Sequence, residues 1–96
     1  MGKKSLLEDK RDEILRVARE HGALSVRVFG SYARGQANPD SDVDLIVELG
    51  PGRSLLDLIA IKQEIEDFIH IKVDVVTEAS LSPYIRNEIL QEAVSI

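Results

Sequence analysis

Apolar residues recur along this chain with two different periods, and the switches between those periods divide it into elements. From Leu6 to His21, the residues Leu7, Ile14, Leu15, Val17 and Ala18 fall at spacings that share one helical face. Gly22 follows as a left-handed stop behind His21. Ser25 to Phe29 alternates in strand fashion, with Val26 and Val28 on one side, and breaks at Gly30-Ser31. Ser31 is placed to cap a short helical turn through Tyr32, Ala33 and Arg34. Gly35 to Ser41, which includes Pro39, has the composition of a loop.

Asp42 to Glu48 reads as a second strand, and Gly50-Pro51-Gly52 as a turn. Leu55, Leu58, Ile59, Ile61, Ile65, Phe68 and Ile69 predict a second amphipathic helix, with Lys62 and Glu66 as a solvated charge pair on it. Lys72 to Val76 is a third strand, and Ser82-Pro83 opens a last helix through Ile85, Ile89 and Leu90. Strands alternating with helices in this order predict an α/β (α+β) fold, a small mixed sheet covered by helices, in which the short link between the first two strands permits an antiparallel pair without requiring one. No repeat or linker interrupts it, so residues 1–96 are expected to form a single domain.

Composition narrows the chemistry by exclusion. Twelve Lys and Arg against seventeen Asp and Glu leave a net charge of −5, with only two Tyr, two Phe and no Trp. Direct nucleic-acid binding, which needs basic surface and stacking aromatics, is therefore not expected. The absence of cysteine removes disulfides, thiolate metal sites and thiol nucleophiles. Lys3 and Lys4 are followed by Glu8, Asp9 and Lys10, and Leu55–Ile61 is short and interrupted by Asp57. Neither an apolar leader nor a membrane span is expected, and a cytoplasmic location is. His21 and His70 lie where helices end and read as capping or surface residues. A twofold contact that would make a homo-oligomer is possible, although no motif specifies it.

Three features remain that chemistry could use. Asp42 and Asp44 are two residues apart at a strand start, which directs both carboxylates to one face while Val43, Leu45 and Val47 turn to the other. Asp74 sits among Val73, Val75 and Val76, where a carboxylate is costly unless exposed, paired or on a metal. If the third strand lies beside the second, the three carboxylates share a surface. Their repulsion would be relieved by a hard cation such as Mg²⁺, and a pair of ions can stabilise attacking and leaving oxygens at phosphorus. Asp74 is also placed to act as a general base. The third feature is Gly30-Ser31, where close backbone approach and N–H groups suit phosphate, with Arg34 nearby as a forked donor. Each feature alone also fits a plainer role: a strand beginning, a surface aspartate, an ordinary turn, a solvated arginine.

Together, Gly30-Ser31-Tyr32-Ala33-Arg34-Gly35, then Ser41-Asp42-Val43-Asp44-Leu45, then Asp74, resemble the signature of the nucleotidyltransferase superfamily related to DNA polymerase β. Leu81-Ser82-Pro83-Tyr84-Ile85-Arg86 extends the resemblance to minimal nucleotidyltransferases of the MntA antitoxin type. The resemblance implies that Asp42 and Asp44 hold the metals carrying ATP, that Asp74 completes the site, and that Gly30 and Ser31 hold the β- and γ-phosphates. It implies AMP transfer to a tyrosine of a HEPN-family toxin partner, which neutralises that toxin. The helical domain that larger relatives add is not expected here, and a partner is expected to complete the site. Two other readings are a non-catalytic module that binds a partner by contact, and a subunit that modifies a small molecule such as an aminoglycoside.

Overall fold

The structure is a computed structural model and describes residues 6–38 and 40–96. Lys3, Lys4, Pro39 and the side chain of Leu7 lie outside the described residues. Helix α1 (Leu6–Glu20) leads into β1 (Ala23–Phe29) and β2 (Val43–Leu49). Helix α2 (Leu55–Ile69) precedes β3 (Val73–Val76), and a 3₁₀ turn (Glu78–Ser80), α3 (Arg86–Glu92) and β4 (Val94–Ser95) follow.

The four strands form one mixed sheet in the order β3-β2-β1-β4. β1 runs antiparallel to both β2 and β4, an orientation that the short link between the first two strands permits, and β2 runs parallel to β3. In register, Val26 faces Val47 and Val28 faces Leu45. These residues, with Val43 and Val73, form one apolar face. Onto it pack Ile14, Leu15, Val17 and Ala18 of α1 and Leu58, Ile61, Ile65 and Ile69 of α2.

Local chemistry explains the ends of the elements. Gly22 has φ +84°, the left-handed stop expected after α1. The Ser54 hydroxyl accepts the Leu56 N–H while the Ser54 N–H donates to Asp57, a capping box that starts α2. His70 closes α2 in a left-handed conformation (φ 58°), its N–H donating to the Glu66 carbonyl at 2.9 Å. The His21 ring lies against Glu64 and 3.8 Å from Asp57, tying the end of α1 to α2.

Several expectations need correction. β1 starts at Ala23 rather than Ser25, and β2 at Val43 rather than Asp42. No helix opens at Ser82-Pro83: residues 82–85 form turns, and α3 begins at Arg86. β4 was not foreseen, because two residues are too few to show a period. On α2, Leu55 and Ile59 are exposed rather than core, since both lie to one side of the Leu58, Ile61, Ile65 and Ile69 stripe that packs on the sheet. Conversely Ile46, on the face opposite the main core, is fully buried.

Glu66 does more than pair with Lys62. It accepts from Lys62 Nζ at 2.9 Å and from the Val73 N–H at 2.7 Å, which pins the start of β3 to α2. The hydrogen bond to Lys62, followed by that from Val73, holds its carboxyl below the ordinary value of 4.5. A depressed carboxylate contributes stability that is present above the ordinary value and lost as pH falls through the folded one. Glu66→Ala is therefore expected to lower the melting temperature by roughly 4–8 °C at neutral pH, with the deficit shrinking in acid, as thermal melts across pH would record.

Candidate active site

The sheet brings the end of β1 beside the beginnings of β2 and β3. Phe29, just before Gly30, pairs with Asp44, and on the far side of β2, Asp44 pairs with Asp74 in the parallel ladder. Adjacent strands lie about 4.8 Å apart, so these two carboxylates leave the sheet as neighbours. Asp42 stands one residue before β2, half-buried like Asp44 and Asp74. The fold thus supplies the strand adjacency on which the meeting of Asp44 and Asp74 depends.

The electrostatics follow from that crowding. Burial is the largest influence raising the Asp44 carboxyl above its ordinary value of 3.8. The negative charges of Asp74 and Asp42, and a hydrogen bond with Asp74, push the same way, while the Arg34 charge opposes them. A cation here would reverse the repulsion, and oxygen-only donors suit a hard ion. Among the described residues, no three His, Cys, Asp or Glu side chains are arranged as a ready-made metal cage. Mg²⁺ takes one or two carboxylates and fills its remaining positions with water and substrate phosphate, so this donor set fits Mg²⁺ arriving with a phosphorylated substrate.

Gly30 has φ +74°, and a Cβ there would run into the Asp44 carboxylate. The chain then makes a compact turn. The Arg34 N–H donates to the Gly30 carbonyl at 3.2 Å and the Gln36 N–H to the Ser31 carbonyl at 2.9 Å. Residues 30–35 form this turn rather than the short helix expected after Ser31. Tyr32 and Ala33 pack against the core and anchor the turn.

Arg34 is on the surface but not simply solvated. Its Nη1 lies 3.1 and 3.2 Å from the two carboxylate oxygens of Glu92. Glu92 Oε1 also accepts the Gly30 N–H at 3.0 Å. Glu92 escaped the sequence reading because its partners lie 58 and 62 positions away. A lone glutamate at the end of a short helix carries no local signal.

The chain belongs to the nucleotidyltransferase domain family, which matches residues 11–96. Its class of chemistry is therefore nucleotidyl transfer. Protein adenylyltransferase MntA of Thermococcus cleftensis is 39% identical over 75 residues, covering 78% of this chain and 76% of that protein. A solved structure provisionally described as a minimal nucleotidyltransferase superposes with a TM-score of 0.85 at 41% identity, covering 100% of both chains. The fold also recurs in a complex of a tri-AMPylated Shewanella oneidensis HEPN toxin with an MNT antitoxin. There the TM-score is 0.69 at 17% identity, over 92% of this chain and 69% of that one. Among the described residues, no helix is long and apolar enough to cross a membrane.

Proposed function

We propose that this protein transfers AMP from Mg-ATP to a hydroxyl, in the first instance a tyrosine, of a HEPN-type toxin, and acts in the cytoplasm as its antitoxin. The observation that carries this reading is the Asp44–Asp74 register beside Gly30. It sets an acidic pair against a backbone position open to close approach. The relatedness to an MntA protein adenylyltransferase and the shared fold with an AMPylated toxin complex support the choice of donor and acceptor.

In this reading Asp42 and Asp44 hold Mg²⁺, with Asp74 completing the set. Two ions so held would neutralise the triphosphate and the charge that develops at phosphorus. Gly30 and Ser31 receive the β- and γ-phosphates, and Arg34 adds a cationic donor. The acceptor oxygen attacks the α-phosphorus as the bond to the bridging oxygen of pyrophosphate breaks. The hydroxyl proton passes to the Asp74 carboxylate, and pyrophosphate leaves with the electron pair.

The test is the intact mass of a co-expressed HEPN-family partner after incubation with Mg-ATP. Increments of whole AMP units on a partner tyrosine are expected. A stable complex without any mass change would overturn the catalytic reading in favour of inhibition by contact. Labelling of low-mass acceptors alone would overturn the protein acceptor.

A further inference from the structure

Glu92 makes the contacts expected of a phosphate oxygen. One of its oxygens accepts both the Gly30 N–H, at 3.0 Å, and the Arg34 guanidinium, at 3.1 Å. The other lies 3.2 Å from the same Arg34 nitrogen. A backbone N–H at a glycine and an arginine fork form a common anion cradle, and a carboxylate here fills it. Both the carboxylate and a phosphate oxygen are anionic acceptors. Bringing the second to the same donors while the first remains sets like charges against each other.

We propose that Glu92 is a built-in occupant of the triphosphate cradle, a latch on α3 that a nucleoside triphosphate must displace. This rests on the assignment of Gly30 and Arg34 to phosphate made above. The bond to Gly30 distinguishes a latch from a residue that only orients Arg34, since orienting the guanidinium requires no contact with the backbone. The latch is tethered on its far side. Val94 and Ser95 pair with Val28 and Arg27, and the Ile96 N–H donates to the Val26 carbonyl at 3.3 Å. Glu92 can therefore leave the cradle while the strand behind it stays on the sheet. Nucleotide occupancy and the position of the α3 end are coupled by competition for one set of donors.

The test is calorimetric titration of the wild type, Glu92→Gln and Glu92→Ala with Mg-AMP-PNP, each variant first shown to keep a cooperative melting transition. Glutamine keeps the shape and an acceptor oxygen but removes the charge. Alanine empties the cradle and serves if the glutamine variant does not fold. Both are expected to bind about tenfold more tightly than wild type, the scale of one charge-assisted contact no longer displaced. Unchanged or weaker binding by the variants, with wild type still binding, would overturn the latch and leave the triphosphate site standing. Failure of all three to bind would remove the triphosphate assignment and the latch together.

Discussion

Asp44→Asn is expected to slow nucleotidyl transfer about a thousandfold, roughly 4 kcal/mol of barrier, without unfolding the protein. The loss follows from removing the carboxylate that pairs in register with Asp74, feels the charge of Asp42 and lies against Gly30. The stability effect has the opposite sign. The Asp44 carboxyl is raised above its ordinary 3.8, chiefly by burial and then by its acidic neighbours. At pH values below that ordinary value the group is protonated in both folded and unfolded chains and favours neither. As pH rises above 3.8 the unfolded chain ionises more readily, so stability is lost until the pH has passed the elevated folded value. Asparagine carries no such penalty, so the variant should melt at or above the wild-type temperature at pH 7, with the two converging in acid. Melts across pH alongside a single-turnover assay would check both. A variant that melts lower at neutral pH, or that transfers at the wild-type rate, contradicts the placement of Asp44.

Gly30→Ala is the second large effect, and Gly35→Ala is its control. Both glycines have positive φ, +74° and +70°, so alanine at either costs about 1–2 kcal/mol of left-handed strain, roughly 4–16 °C in melting temperature. They differ in what the new methyl would meet. At Gly35 nothing lies within 4 Å, whereas at Gly30 the Cβ runs into the Asp44 carboxylate. The side chain can swing away at little cost to the fold, and the cost then falls on the site. Transfer is expected to drop at least about a hundredfold in Gly30→Ala, the scale of an ångström-level misplacement, and to persist in Gly35→Ala. Equal activity losses in the two variants would mean that backbone strain, not the meeting of Gly30 with Asp44, sets the effect.

Much of this arrangement was legible in the sequence because the relevant signals are local. The alternation around Val43, Leu45 and Val47 fixes which way Asp44 turns, and the valines around Asp74 make its charge conspicuous. The apolar stripe of α2 was readable through Leu58, Ile61, Ile65 and Ile69. Its margin was not, since Leu55 and Ile59 are as apolar as that stripe and yet stand to one side of it, exposed. The pairing of Asp44 with Asp74 was conditional on strand order, which no residue states. β4, Ile46 and Glu92 were illegible for a common reason. Each gains its role from partners distant in the chain, and a two-residue strand or a single side chain has no period to display.

The parallel β2–β3 ladder has a consequence for how this protein tolerates changes of length. Side chains repeat every second residue, so a one-residue slip of β3 would turn Asp74 to the wrong face. A two-residue slip would keep its face but shift it about 6.6 Å along the strand, out of register with Asp44. The register is set by the tight passage from α2 to β3, where His70 adopts its left-handed turn and Glu66 clamps the Val73 N–H. An insertion between Ile69 and Val73 therefore reaches the acidic pair directly, although every residue it adds lies outside the pair itself. The loop from Gln36 to Ser41 sits between antiparallel partners whose register is held by their own ladder, and can lengthen without that effect. A longer Gln36–Ser41 loop is thus expected to leave the Asp44–Asp74 register intact, and an insertion between Ile69 and Val73 to break it.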